Sequence, residues 1–353
     1  MIDKQTIMQV LSKIKDPELK RSFTELDMVK FVDIEGNNIR VGISLTGGCP
    51  FKEKIAEEIT KKVGELEGVG AVKVEFDEMS KEQLVKLKEK LGVGQPRPDD
   101  AAAIAKIAKR FIAVSSGKGG VGKSTITANL ASALARLGFQ VGVLDADVYG
   151  FSIPRMLGVD GVPKAFDDKI IPLRKGDNLQ IISMGFFISE DEPVIWRGPL
   201  LHKAISQFIT DVMWENLDFL LLDLPPGTGD VTITIAQAIP SAELLVVTTP
   251  QATATNVASR VAKMADKTKL NVIGVIENMA YYDNNGRKDY IFGKDGGKNL
   301  AAKLNVAFLG EIPLITSIRE GADAGKPVAS EGTEQEIKLF EGIAQAIVAM
   351  NRR

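Results

Sequence analysis

The chain has 353 residues, a length typical of two domains, and its 44 Lys and Arg residues against 46 Asp and Glu residues give a formal charge of −2. With 44% hydrophobic and 25% charged residues, the composition is that of a folded globular protein, which excludes disorder as the main state. Basic and acidic residues balance on both sides of residue 91, so neither part has the basic excess that a nucleic-acid backbone would attract.

The sequence also limits which metal sites and which membrane segments the protein can have. The sequence has one cysteine, Cys49, and one histidine, His202, so a four-ligand Cys/His zinc site or an internal disulfide cannot be built within one chain. Any soft-metal site must be shared between chains. No apolar run approaches the roughly 18 residues of a membrane span, and the polar start lacks the apolar core of a signal peptide. We therefore expect a cytoplasmic protein.

Residues 1–91 predict a small α+β domain. Its predicted elements are a helix at Thr6–Ile14, strands at Val29–Ile34 and Ile39–Leu45, a helix at Phe51–Leu66, a strand at Val69–Phe76 and a helix at Lys81–Lys90. The first two strands turn at Gly36-Asn37-Asn38, where a positive φ costs little. The following GVGQPRPDDAAA contains Gly and two Pro residues that break regular structure. This predicts a linker over residues 92–109.

Residues 110–353 predict a second domain in which short apolar strands alternate with helical stretches. The predicted strands are FIAVSS, FQVGVLD, DFLLLDL, ELLVVTT, NVIGVIE and VAFLGEI. Nearly continuous apolar strands are expected when helices cover both faces of a parallel sheet. The fold class is therefore α/β, with a doubly wound parallel sheet preceded by the small α+β domain.

A phosphate-binding loop follows the first of these strands. GKGGVGKST fits the pattern GxxxxGK(S/T), in which backbone N–H groups curl around phosphate oxygens and the next helix directs its positive end at the anion. Lys123 is expected to neutralise the β and γ phosphates, and the Ser124 hydroxyl to bind Mg²⁺. The predicted nucleotide-binding residues of this loop are Gly117, Lys118, Gly119, Gly120, Val121, Gly122, Lys123, Ser124 and Thr125.

Three aspartates end strands that should lie beside this loop, where open parallel sheets place their chemistry. Asp223 ends DFLLLD and is predicted to be the Walker B acid that holds Mg²⁺ through water. Asp145 and Asp147 follow the strand FQVGVL. In-line attack on a γ phosphate needs an acceptor for the hydrogens of the attacking water, which a carboxylate in a loop beside the phosphates can supply. The alternative, that Asp145 or Asp147 caps the following turn, stays open.

Longer segments carry a family resemblance. With Lys118 at its start, GKGGVGKST resembles the deviant phosphate loop of the MinD, nitrogenase iron protein and Mrp/ApbC group. DADVYGFSIPRMLG, ISMGFF, WRGPLLHKAI, LLLDLPPGTGD and VIENMAYY are similar to the Mrp/ApbC iron-sulfur cluster carrier ATPases, over most of residues 110–320. The first 91 residues, with LTGGCPF, resemble the iron-sulfur assembly domain often fused ahead of such ATPases.

The resemblance implies roles for several residues. It implies a homodimer with ATP at its interface, in which Lys118 reaches the nucleotide of the other subunit and acts with Lys123 and Asp147 in catalysis. Asp145 would support the magnesium site, and Asn278 and the turn at Pro313 would contact adenine. A surface role for Lys118 and turn chemistry for Asn278 stay open as alternatives.

One departure bears on the cargo. Cluster-carrying relatives have a CxxC pair after VIENM, whereas this chain reads AYYDNNGRKDYIFG. A dimer then has only two thiols, both Cys49, so a [4Fe-4S] cluster bridged between subunits would need exogenous thiols or ligands from a client as well. At the start of FKEKIAEEI, Cys49 is either a thiolate favoured by the helix dipole or a small buried apolar group. His202, Trp196 and Trp214 are expected in packing roles.

Three hypotheses for the function follow. The first is an ATP-hydrolysing homodimer that delivers clusters to apo iron-sulfur proteins or assembly factors. The second is a cluster-free regulatory or scaffold switch on the same fold. The third, a MinD-like membrane-associated ATPase, needs a basic amphipathic tail. In the last helix Ile337, Phe340, Ala344 and Ile347 share one face, but few basic residues flank it, so we expect it to cover the sheet.

Overall fold

The computed structural model describes residues 3–17, 19, 21–46, 51–90, 103–147, 150–166, 169–187, 198–227, 230–251 and 254–350. The chain divides into two compact units, Met1–Gly94 and Gln95–Arg353. Cys49 and Trp196 lie outside the described residues, as do residues 91–102 of the predicted linker.

The first unit is a three-stranded sheet covered by helices. Its elements are α1 (Lys4–Leu11), β1 (Val29–Glu35), β2 (Asn38–Leu45), α2 (Lys52–Gly64), β3 (Val72–Glu78) and α3 (Lys81–Lys90). β1 pairs antiparallel with β2 through a turn at Gly36, which has φ +63°, and β2 pairs parallel with β3 across α2. Ile55, Ile59 and Val63 follow helical spacing and are buried. The predicted α+β unit is confirmed.

The strands of the second unit form one eight-stranded sheet and two small hairpins. They are β4 (Ala108–Ser116), β5 (Val141–Asp145), β6 (Ala165–Phe166), β7 (Lys169–Ile170), β8 (Leu173–Lys175), β9 (Leu179–Ser183), β10 (Leu217–Asp223), β11 (Glu243–Thr248), β12 (Asn271–Glu277), β13 (Tyr282–Asn284), β14 (Arg287–Asp289) and β15 (Ala307–Glu311). The large sheet has the order β15-β12-β11-β4-β10-β5-β9-β8, and only the edge pair β8–β9 is antiparallel. The predicted doubly wound parallel sheet is confirmed.

Helices cover both faces of this sheet. They are α4 (Lys123–Arg136), α5 (Ile153–Leu157), α6 (Gly198–Thr210), α7 (Asp230–Ala238), α8 (Ala254–Thr268), α9 (Gly296–Leu304), α10 (Thr316–Ala324), α11 (Val328–Glu331) and α12 (Glu334–Ala349), with a 3₁₀ turn at Met184–Phe187. One apolar cluster joins the sheet to α6 to α9, and the other joins it to α4, α5 and α10 to α12. Strands buried on both faces explain the unbroken apolar runs.

The last helix packs on the sheet, as expected. Phe340, Ala344 and Ile347 are buried against α4 and the strands, and Ile337 is half-buried. A capping box begins the helix, because the Thr333 side chain accepts from the Glu336 N–H while the Glu336 carboxylate accepts from the Thr333 N–H. Within the described part of the chain, no helix is both long and apolar enough to cross a membrane.

Some boundaries differ from the sequence-based expectation. The first strand of the second unit begins at Ala108, and Ile104 and Ile107 pack into the core of that unit. Residues 103–109 therefore belong with the second unit rather than with the predicted linker. Trp214 packs on the same core and donates through Nε1 to the Phe208 carbonyl at 3.1 Å. His202 lies within α6, and its side chain is outside what the structure describes.

Candidate functional site

The candidate site lies where parallel strands end together. β10 lies between β4 and β5, and Asp223 is level with Asp145 on one side and with Val114 on the other. Ser183, the last residue of β9, is level with Asp145. Because parallel strands present their carboxyl ends at one edge, two predicted acids and the phosphate loop come together there.

The loop between β4 and α4 has the backbone that its glycines predict. Gly120 and Gly122 have φ of +75° and +82°, the left-handed region that costs glycine little. At Gly122 a Cβ atom would lie only 2.2 Å from Nδ2 of Asn278, so a larger residue would have to displace that side chain. Lys123 follows directly as the first residue of α4, which places the positive end of the helix at the loop.

Asp223 is the centre of the polar cluster behind the loop. Lys123 Nζ donates to Asp223 Oδ2 at 2.6 Å, and Ser124 Oγ donates to the same oxygen at 2.5 Å. Thr127 Oγ1 lies 2.7 Å from the other carboxylate oxygen. Asp223 is fully buried, and a buried carboxylate is stable only with such partners.

The chemistry of this donor set fits a magnesium ion. Ser124 and Asp223 supply hydroxyl and carboxylate oxygens side by side, and Mg²⁺ prefers oxygen ligands. Sequence reasoning missed Thr127, although its position four residues after Lys123 puts both side chains on one face of α4. Thr127 completes the hydrogen bonding of Asp223 and fixes the direction of its carboxylate.

Asp145 organises the turn beyond β5. Its carboxylate is fully buried and accepts from the backbone N–H groups of Asp147 at 3.2 Å, Ser152 at 3.1 Å and Ile153 at 3.2 Å, and from Ser183 Oγ at 3.1 Å. Burial, and secondly the charge of Asp223, raise the pKa of Asp145 to about 7, while the N–H donors and Lys123 oppose that rise. This is the turn-capping arrangement; support of a metal by Asp145 stays a prediction.

Asp147 lines a cavity with the phosphate loop. The cavity has a volume of about 200 Å³, and Gly119 to Thr125, Ser152 and Pro226 also line it. Whole-ligand pockets are usually about 300–1,000 Å³, so this space suits the phosphate end of a ligand. The Asp147 carboxylate is mostly buried, and a Cβ on Gly150 would lie 3.7 Å from each of its oxygens.

Lys118 is placed differently from Lys123. Its half-buried side chain donates through Nζ to Gln251 Oε1, in the segment that follows β11. Arg260, on α8, donates to the Gly117 carbonyl at 3.2 Å. The start of the loop thus contacts the segment after β11 and helix α8, and the catalytic role of Lys118 stays a prediction.

The two predicted base-contacting positions follow neighbouring strands, β12 and β15. Asn278 is 5% exposed, and its Nδ2 donates to the Val121 carbonyl at 2.9 Å. Pro313 follows Ile312, whose N–H donates to the Glu277 carbonyl at 2.8 Å. The structure brings Asn278 onto the phosphate loop itself, a contact that the sequence did not predict. Adenine contacts by Asn278 and Pro313 stay predictions.

The segment after VIENM, where the family resemblance implies a CxxC pair, forms a polar hairpin here. β13 and β14 pair antiparallel, with Asn284 opposite Arg287. The Asp283 carboxylate accepts from the Gly286 N–H at 2.7 Å, and Lys288 Nζ lies 3.9 Å from the centre of the Tyr281 ring. Among the described residues, no group of three or more His, Cys, Asp or Glu side chains is placed to hold a metal ion. The turn of the hairpin is stabilised by the hydrogen bond to Asp283, and the contact between Lys288 and Tyr281 adds to it.

Two family models match the chain. Residues 107–348 match the ParA model, described as NUBPL iron-transfer P-loop NTPase. Residues 4–76 match a model described as iron-sulfur cluster assembly protein. The two matches fall on the two units that the structure separates.

Individual proteins give the same picture. The chain is 44% identical to the iron-sulfur cluster carrier protein of Mycobacterium leprae over 360 aligned positions, which cover 99% of this chain and 94% of that protein. A nucleotide-binding protein of Archaeoglobus fulgidus in complex with ADP is 34% identical, with a TM-score of 0.60 over 70% of this chain and 98% of that one. MinD of Pyrococcus horikoshii with Mg-ADP is 25% identical, with a TM-score of 0.50 over 68% of this chain and 96% of that one.

Proposed function

The chain belongs to the family of NUBPL iron-transfer P-loop NTPases, and we propose that it binds Mg-ATP, hydrolyses it as a homodimer, and delivers iron-sulfur clusters to apo client proteins or assembly factors. The observation that carries the proposal is the convergence of Lys123, Ser124 and Asp223 behind a glycine loop that borders a phosphate-sized cavity. Packing alone does not account for this arrangement, because burying the charged groups costs free energy.

The phosphate chain of ATP would occupy the cavity. Backbone N–H groups of the loop and the positive end of α4 offset its charge. Lys123 would leave its ion pair with Asp223 for the β and γ phosphates. Ser124 and Asp223 would hold Mg²⁺, Asp223 through water, and the bound ion would supply positive charge where the phosphate oxygens become more negative.

Asp147 is suited to orient the attacking water. Its carboxylate lies in the same cavity as the loop, and the backbone of its turn is held by Asp145. The water oxygen attacks the γ phosphorus while the bond to the β–γ bridging oxygen breaks, and Asp147 accepts a hydrogen of the water. The products are ADP and inorganic phosphate.

The dimer is supported by the place of Lys118. In a single chain its ammonium points to exposed Gln251 rather than into the phosphate cavity. A lysine at the start of the loop can therefore turn to a nucleotide held by a second copy. Sedimentation with a nonhydrolysable ATP analogue and Mg²⁺ is expected to show dimers for wild type and monomers for Lys118→Ala. Dimers for both, or for neither, would contradict this part of the proposal.

Whether the protein carries an iron-sulfur cluster distinguishes the proposed function from a second candidate. A hairpin closed by Asp283 and Gly286, in place of the relatives' CxxC, favours a cluster-free regulatory or scaffold switch. Family membership favours the carrier, with the two Cys49 thiolates of a dimer as ligands beside those of a client or small thiols.

Anaerobic cluster reconstitution separates the two functions. The carrier predicts visible charge-transfer absorption in wild type with a small thiol present, and its loss in Cys49→Ser. Absence of that absorption in wild type would leave the cluster-free switch as the function. The ATPase part of the proposal would survive that result, because it depends on other residues.

A further inference from the structure

Asn278 is hydrogen-bonded through its backbone to strand β11 and through its side chain to the phosphate loop. Its backbone N–H donates to the carbonyl of Thr248, the last residue of β11, at 2.8 Å. Its side-chain Nδ2 donates to the Val121 carbonyl at 2.9 Å. Because the residue is only 5% exposed, the amide has little freedom to move away from the loop.

The contact fixes the orientation of one peptide group. In a trans peptide the C=O and the following N–H point in opposite directions, and the described chain contains no cis peptide bond. Holding the Val121 carbonyl on Asn278 therefore directs the Gly122 N–H away from Asn278. Gly122 lines the phosphate cavity, where N–H groups are the donors that bind phosphate oxygens.

The local sequence gives this peptide little restraint of its own, because the residue that follows it is glycine. Gly122 has φ +82°, and a glycine next to a peptide bond lets that peptide rotate at little cost. The Val121 side chain is 1% exposed and packs in the core, which anchors the loop. The Asn278 amide supplies the missing restraint. The absence of a Cβ at Gly122 lets it approach this closely.

We propose that Asn278 is a positioning residue of the phosphate loop, which holds the Val121 carbonyl outward so that the Gly122 N–H faces the phosphate chain. The inference rests on the proposed nucleotide site and adds to the predicted adenine contact of the same side chain. The two roles separate with a ligand that has phosphates and no base.

Inorganic tripolyphosphate with Mg²⁺ is that ligand. Calorimetric titration is expected to show binding to wild type that is about fivefold to tenfold weaker in Asn278→Ala, the order expected for one lost hydrogen bond. ATP binding should weaken at least as much. Unchanged tripolyphosphate affinity in Asn278→Ala, with ATP affinity reduced, would overturn the positioning role and leave only the base contact.

Two control variants keep the interpretation clear. Lys123→Ala should lose both ligands. Asn178→Ala should keep binding to both ligands. In wild type, Asn178 Nδ2 donates to the Ala135 carbonyl at 3.3 Å, and this contact does not involve the phosphate loop. If wild type binds neither ligand, the proposed nucleotide site itself is wrong. That outcome differs from one in which Asn278→Ala weakens the binding of ATP but not that of tripolyphosphate.

A crystal structure of wild type with magnesium tripolyphosphate tests the same point without a variant that must fold. The expected structure keeps Asn278 Nδ2 on the Val121 carbonyl and places the Gly122 N–H on a phosphate oxygen. A rotated peptide, with the Val121 carbonyl facing the ligand, would refute the inference.

Discussion

The ammonium of Lys123 lies 2.6 Å from the carboxylate of Asp223, and the two side chains are only 6% and 0% exposed. A buried ion pair contributes little net stability, because removing both charges from water costs about as much as their attraction returns. Such a pair is useful where one partner must be exchanged for a ligand. In the proposed function, a phosphate chain replaces the carboxylate as the partner of Lys123, which would free Asp223 for Mg²⁺.

Lys123→Ala is expected to abolish ATP turnover, measured as phosphate release. It also leaves the Asp223 carboxylate buried without its cation, so the free energy of unfolding without ligand should fall by about 3 kcal/mol. Lys109→Ala is the matched control, since its ammonium pairs with Asp218 at 2.7 Å but its side chain is 78% exposed. That variant should keep turnover and lose less than about 1 kcal/mol. Turnover that survives in Lys123→Ala would show that the site is assigned to the wrong loop.

Thr127→Val tests the hydroxyl that lies beside Asp223. Loss of this buried hydrogen bond should lower the free energy of unfolding by about 1–2 kcal/mol. It should also raise the Mg²⁺ concentration needed for half-maximal turnover, because the carboxylate is less well oriented. Thr268→Val is the control, since the Thr268 hydroxyl lies 2.7 Å from the Met264 carbonyl within α8. Equal magnesium dependence in both variants would argue against an orienting role.

Asp147→Asn should separate hydrolysis from binding. If Asp147 accepts a hydrogen of the attacking water, turnover should fall by about 100-fold to 10,000-fold, while ATP affinity changes little. The exposed Asp160→Asn is the control and should behave as wild type. Wild-type turnover in Asp147→Asn would move the acceptor role to another group.

Because the pKa of Asp145 is raised, we expect the free energy of unfolding to depend on pH when neither nucleotide nor metal is bound. Its pKa is raised from 3.8 to about 7 by burial and by the charge of Asp223. The unfolded chain releases this proton near pH 4 and the folded chain near pH 7, so its contribution to stability falls as pH rises between those values and is constant above them. Asp145→Asn cannot ionise and lacks that fall. In urea unfolding, the stability of the variant relative to wild type should therefore be higher at pH 8 than at pH 5. The same difference at both pH values would contradict the assignment.

The strand-end acids and the loop could be predicted because each depends on a local pattern. Asp223 ends an unbroken apolar run, and parallel strands bring such ends together whatever their order in the sequence. Thr127 carries no motif of its own and becomes visible only when the helix is drawn with Lys123 on the same face. Ser183 lies in the ISMGFF segment, but its role was missed because no local pattern links it to Asp145, with which it is level only in the folded sheet.

Contacts between distant segments could not be predicted. Asn278 and Val121 are 157 positions apart, and their contact depends on β11 lying between β4 and β12 in the sheet. The hairpin β13–β14 had a usable signal in Asn285-Gly286, where both residues have positive φ, 54° and 85°. The turn-capping alternative for Asp145 needed the structure, since it depends on N–H groups up to eight residues later.

Calorimetric titration of a nonhydrolysable ATP analogue tests the nucleotide site most directly. We predict one binding event per chain in wild type, weakened when Mg²⁺ is withheld and lost in Lys123→Ala. Equal binding by wild type and Lys123→Ala, or no binding by correctly folded wild type, would contradict the account.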